Sequence, residues 1–160
     1  MVSRRDRIAF RTNRDGDGEI YSVSPRGLGL KNITNHPVND FQPDWAPDGE
    51  RLVFQSDRDG GQGDIYVMNA DGSGITNITS HPDNDRLPAW SRDGQWIAFQ
   101  SYRDRNQDVY ITPAAGGPQL RVTRHPSGDG SPSWVAPSAA LPVRAASRAL
   151  MPWARLRQGR

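Results

Sequence analysis

Four landmarks recur along this chain at one fixed step. Trp45, Trp90 and Trp134 lie 45 and 44 residues apart, and His36, His81 and His125 repeat the same two steps. Tyr21, Tyr66 and Tyr110 keep them too, while Ile8, Leu52 and Ile97 step by 44 and then 45. The text between the landmarks also repeats: IAFRTNRDGDGEIYSVSPRGLGLKNIT, LVFQSDRDGGQGDIYVMNADGSGITNIT and IAFQSYRDRNQDVYITPAAGGPQLRVT. A unit repeated end to end meets its neighbours through the same surfaces each time, so an array comes before any other reading.

Each unit reads as short strands separated by turns. Ile8–Thr12 carries Ile8 and Phe10 on one face, and Asn13 to Gly18 supplies the Asp and Gly that tight hairpins need. Glu19–Val23 is apolar on both faces, as a strand covered on both sides must be. Leu28–Thr34 reads as a third, edge-like strand. After a loop containing His36 and Pro37, Gln42–Ala46 is a short strand whose Pro43 suits a first position or an edge, and Pro47-Asp48-Gly49-Glu50 is a β-turn. The order repeats through strands 51–56, 64–69, 75–79 and 87–91, and again through 95–101, 108–112, 119–123 and 132–135. Four strands in a unit of about 40–45 residues define a β-propeller blade. The expected fold is all-β: blades of four antiparallel strands, about three of them, in an open or half-propeller. The repeat domain is 1–136, with pieces 8–34, 42–79 and 87–123 and an orphan strand at 132–135. Residues 137–160 are a basic Ala/Arg/Pro-rich tail, read as disordered or as a short helix ended by Pro152.

Composition agrees with this array. Hydrophobic residues make up 34% of the chain, which points to a thin, distributed core, and 16 Gly with 13 Pro suit a turn-rich chain. With no Cys, disulfides and thiolate metal sites are excluded and the redox compartment is not readable. No apolar run approaches the ~18 residues of a membrane helix, and the basic start lacks the apolar core of a secretory signal. The formal charge of +2 comes from the tail, where Arg144, Arg148, Arg155, Arg157 and Arg160 face no acid; the remainder holds 15 basic against 18 acidic residues. Those five Arg form no dense patch and no stacking platform, which argues against nucleic acid as a partner.

The unit P-x-W-S-x-D-G-x-x-I-A-F-x-S-x-R-D-x-x-x-D-[IV]-Y resembles the repeat of TolB-type β-propellers, a WD40-like class. It is carried by Pro88, Trp90, Ser91, Asp93, Gly94, Ile97, Ala98, Phe99, Ser101, Arg103, Asp104, Asp108, Val109 and Tyr110, and in the preceding unit by Pro43, Trp45, Asp48, Gly49, Leu52, Val53, Phe54, Ser56, Arg58, Asp59, Asp64, Ile65 and Tyr66. The resemblance covers residues 8–135. It implies a noncatalytic scaffold for a protein or peptide partner, periplasmic or extracytoplasmic, with binding at the mouth of the channel. Proteins of this type carry six or more blades, so three read as a fragment or a half-propeller. The alternative is the propeller part of a peptidase, or a metal-dependent lyase or hydrolase whose catalytic part lies elsewhere or in the channel. The chain contains no G-x-S-x-G nucleophile motif.

Candidate site residues follow from the repeat. Asp40, Asp85 and Asp129 each stand three residues before the Pro of the Trp strand. If that strand lines the channel, they approach one axis and could attract a basic group or a cation such as calcium; local backbone capping is the competing role. Phe41, Arg86 and Gly130 follow them, and Gln42, Leu87 and Ser131 come next. Their identities differ from unit to unit, as recognition residues do. His36, His81 and His125 are weak candidates for a metal, since none has a close His or Cys partner in sequence. Asn13-x-Asp15-x-Asp17-Gly18 matches half of a calcium loop but lacks the closing Glu, so a hairpin turn is expected. Arg14-Asp15, Arg58-Asp59 and Arg103-Asp104 are expected to stabilise turns or bridge blades. Trp45, Trp90 and Trp134 are expected to fill the gaps between blades. The orphan strand 132–135 is also the piece missing from the unit at 8–34. Exchanged between two copies, it would close a two-fold, six-blade homodimer.

Overall fold

The computed structural model describes residues 6–60 and 62–135. They form eleven strands in three antiparallel sheets. Blade one contains β1 (Ile8–Thr12), β2 (Glu19–Val23) and β3 (Lys31–Asn32). Blade two contains β4 (Asp40–Trp45), β5 (Arg51–Ser56), β6 (Asp64–Asn69) and β7 (Thr76–Asn77). Blade three contains β8 (Asp85–Trp90), β9 (Trp96–Ser101), β10 (Asp108–Pro113) and β11 (Leu120–Arg121). In every sheet, chain order is spatial order, as in a blade meander.

Local chemistry sets the strand lengths. The outermost strands are two residues long, shorter than their sequences suggest, because a threonine ends each ladder. The hydroxyls of Thr34, Thr79 and Thr123 accept the amides of Ile20, Ile65 and Val109, each at 3.0 Å. A side-chain oxygen thus takes the place of a strand carbonyl. The first strands begin earlier than expected, at Asp40 and Asp85. In each, the register against the next strand jumps, from Phe41 to Asp44 and from Arg86 to Ala89. The bulge accommodates Pro43 and Pro88, which have no amide to offer a ladder. Between β4 and β5 the chain turns through Gly49 at φ 70°, with the Gly49 amide on the Ala46 carbonyl at 2.8 Å; Gly94 at φ 69° does the same between β8 and β9.

Two apolar cores lie between the blades. Ile20 and Ile33 of blade one meet Leu52, Phe54, Tyr66 and Met68 of blade two, with Trp45 half-buried beside them. Ala46, Val53, Ile65, Val67 and Ile78 of blade two meet Trp90, Ile97, Phe99, Tyr110 and Ala114 of blade three. Trp90, Phe99 and Tyr110 are buried there, as their central position requires. Trp134 stays half-buried and its indole N–H donates to the Ala89 carbonyl at 3.0 Å.

Residues 132–135 form no strand, contrary to expectation. A ladder needs paired main-chain groups, and among the described residues none pairs its backbone with this segment. The expected tail at 137–160 falls outside the described residues.

Candidate functional site

The start of each first strand docks on the hairpin turn of the blade before it. The amides of Asp40, Asp85 and Asp129 donate to the carbonyls of Gly18, Gly63 and Gln107 at 2.6, 2.6 and 2.7 Å. This places three equivalent segments side by side. Further cross-links tie them: the Leu87 amide donates to Gln42 Oε1 at 2.9 Å, and the Trp90 amide to Asp44 Oδ2 at 2.8 Å. Burial pushes the Asp44 carboxyl up, while the amides of Trp90 and Trp45 pull it down.

Two of the three repeated aspartates are spoken for. Asp40 and Asp85 have side chains 0% exposed and are ion-paired with Arg58 at 3.1 Å and Arg103 at 2.7 Å. Each guanidinium also donates through Nε to a serine in the same blade, Ser56 at 2.8 Å and Ser101 at 2.7 Å. It lies over two aromatic rings: Arg58 is 5.2 Å from Phe54 and 5.0 Å from Tyr66, and Arg103 is 5.5 Å from Phe99 and 4.7 Å from Tyr110. The pairs therefore lock the first strand to its own blade. Arg58 and Arg103 bridge no blades and leave no carboxylate facing outward. For Asp85, burial pushes the carboxyl up and Ser101 and Arg103 oppose it.

The acidic half of each Arg-Asp doublet serves a separate purpose. Asp15, Asp59 and Asp104 accept the phenol hydroxyls of Tyr21, Tyr66 and Tyr110, pinning the hairpin turn to the strand that follows. Asn13 to Gly18 is a hairpin turn, closed by the Gly16 amide on the Asn13 carbonyl at 3.1 Å.

The histidines sit in separate loops. The His36 and His81 amides donate to Glu19 and Asp64, and the ring Nδ1 atoms of His81 and His125 accept the amides of Asp83 and Ser127, each at 3.1 Å. Among the described residues, no three His, Asp or Glu side chains converge as metal ligands would.

What remains open is the row of left-handed residues in the three equivalent segments. Gln42, Leu87 and Ser131 hold φ of 52°, 53° and 55°. None is glycine, and a left-handed backbone costs such residues about 1–2 kcal/mol. They wall an open cleft of about 340 Å³ with Pro43, Pro88 and Ser133. The adjoining positions are also distinct. Phe41 lies under the Arg11 guanidinium at 4.8 Å, and Arg86 stacks on Tyr102 at 4.4 Å with its buried Nε unpartnered. A larger hollow, about 450 Å³, is walled by the β4–β5 turn and Arg7. There the guanidinium is already held by Ser22 and the Gly29 carbonyl.

Three twisted antiparallel sheets, laid face to face and joined in series by their first strands, make this a β-propeller repeat protein. The particular family follows from comparison: the TolB beta propeller domain matches residues 59–149, more than half of the chain, and the chain belongs to it. A TolB-type protein of Agrobacterium tumefaciens superposes with a TM-score of 0.66 at 27% identity, over 72% of this chain and 44% of that one. TolB of Acinetobacter baumannii gives 0.64 at 25% identity, over 74% and 30%. An oligogalacturonate lyase in complex with manganese shares the fold at 22% identity, with a TM-score of 0.52 over 67% and 29%. The chain thus spans less than half the length of these structures. No curated protein sequence matches it.

Proposed function

We propose that the chain is a noncatalytic binding module that takes a protein or peptide segment in the cleft formed by its first-strand bulges. One observation carries this reading. At three equivalent positions, two of them β-bulges, a non-glycine residue is held in a left-handed conformation, and the side chains displayed there differ: Gln42, Leu87 and Ser131. Strained residues cluster where a structure presents groups to a ligand, and bulges re-aim side chains at such places. The framework around them repeats, whereas the display does not. Phe41 and Arg86 extend it with an aromatic face and a guanidinium, residue types that anchor protein interfaces. Asp40 and Asp85 contribute indirectly, by fixing the strands that carry the display.

Selection of a displayed random-peptide library on the purified chain tests this. Binders are expected to lose at least tenfold in affinity when Leu87→Gly or Phe41→Ala is introduced. Selected peptides that ignore both changes would place the binding surface elsewhere and overturn the reading.

A further inference from the structure

Blades two and three each contain a closed Asp–Arg pair, and the described residues also contain its two separated halves. Arg14 is the counterpart of Arg58 and Arg103. It lies over Phe10 at 5.8 Å and Tyr21 at 4.7 Å, as they do over their rings, yet no carboxylate meets it among the described residues. Asp129 is the counterpart of Asp40 and Asp85. Its amide is docked on Gln107, yet no cation meets its carboxylate among the described residues. Residues 129–135 share two marks of a first strand: the Asp129 amide docks as those of Asp40 and Asp85 do, and Ser131 holds φ 55° against 52° and 53° at Gln42 and Leu87.

The apolar surfaces are divided in the same way. At the central joint Ile97 is 0% exposed and Ile78 6%, whereas their equivalents at the two ends, Ile8 and Val122, are 51% and 53% exposed. Half-buried Phe10 on blade one continues the first surface, and half-buried Val109 and Ile111 on blade three continue the second. The outer edge of β1 has no neighbour among the described residues.

We infer that the occupant of the β1 edge is residues 129–135 of a second copy of this chain, with the partner's Asp129 closing on Arg14. The register is set by the existing joints. Asp40 faces Ser56 and Asp44 faces Val53; Asp85 faces Ser101 and Ala89 faces Ala98. Asp129 then faces Thr12 and Ser133 faces Ala9. Trp134 enters between the partner's Ile8 face and its own blade three, as Trp90 does at the central joint. The exchange is isologous, so both edges close at once, and two sets of three blades give six, within the range of closed propellers. The two readings share Ser131 and Ser133, but the dimer does not depend on Leu87 or Phe41, so the peptide test and the dimer test fail separately.

Charge reversal tests it on the purified full chain by analytical ultracentrifugation. The unaltered chain is expected to dimerise. Arg14→Asp and Asp129→Arg, each alone, juxtapose like charges and are expected to weaken the dimer at least tenfold. Mixing the two variants in equal amounts restores it, since one joint then pairs Asp with Arg in reversed order and the other pairs the native residues. An unaltered chain that is monomeric, single variants that dimerise normally, or a mixture that stays monomeric each overturn the proposal. Circular dichroism confirms that the variants are folded. Because the chain lacks cysteine, Ala9→Cys combined with Ser133→Cys gives a second readout: an interchain disulfide dimer on oxidation is expected, and none forming would count against the register.

Discussion

The joint between blades two and three and the outer side of blade one are written in nearly the same residues, but they differ in cover. At the joint Phe99 is 0% exposed and stacks on Tyr110 with centroids 5.8 Å apart, and Arg103 closes on Asp85. On blade one, Phe10 and Tyr21 sit 6.3 Å apart, Phe10 is half-exposed, and Arg14 has the rings but no carboxylate among the described residues. A repeat specifies a surface, and a neighbour is what converts that surface into stability.

The largest effect expected from this contrast is on aromatic truncation. Phe99→Ala should cost about 3–5 kcal/mol in urea unfolding, as buried Phe truncations do. Phe10→Ala, in dilute protein, should cost only about 1 kcal/mol. Equal costs would break the comparison. Next come the carboxylates. Asp40→Asn leaves Arg58 without its counter-ion in a buried site and should cost about 3 kcal/mol, whereas Asp129→Asn in dilute protein should stay within about 0.5 kcal/mol.

Alkaline pH gives a smaller, graded effect. Burial, followed by the hydrogen bonds to Asp59 and Asp104, raises the phenol pKa of Tyr66 and Tyr110 above the ordinary 10.0. Below pH 10 both states keep the proton, and the stabilisation is fully present. Above it the unfolded chain loses protons that the folded chain retains, so stability falls as pH rises. Tyr110→Phe should flatten that fall in a pH series of unfolding curves, and an unchanged slope would contradict the assignment. A small change in stability is also expected at the bulge. Leu87→Gly relieves the left-handed strain while giving up a half-buried side chain, so thermal stability should remain within about 1 kcal/mol even though peptide binding is lost.

Much of this was legible in the sequence. The fixed period gave the blades, and the apolar residues on both faces of Glu19–Val23 marked a strand covered on both sides. Trp90 was expected between blades as one of the three repeated tryptophans. The roles of the aspartates were harder to read, because a buried ion pair and a channel-facing carboxylate look alike in a repeat. A constant spacing could have separated them: Arg58 lies 18 residues after Asp40, and Arg103 lies 18 after Asp85. The bulges were hidden, since Gln42 and Leu87 carry no turn signature and their left-handed backbone accompanies a register jump that the sequence does not announce. The short third strands were hidden too, because the threonine that stops each ladder reads as a good strand former.

The docking of each first strand on the previous hairpin turn has a mechanical consequence. Blade is joined to blade by one main-chain bond at that point, from Asp40 to Gly18 and from Asp85 to Gly63, backed by the apolar core behind it. The joints therefore lie in series along the chain. Pulled from its two ends, the chain should rip one blade at a time, each release paying out about 150 Å of extended polypeptide. A force trace would show a sawtooth whose tooth spacing is the sequence period itself.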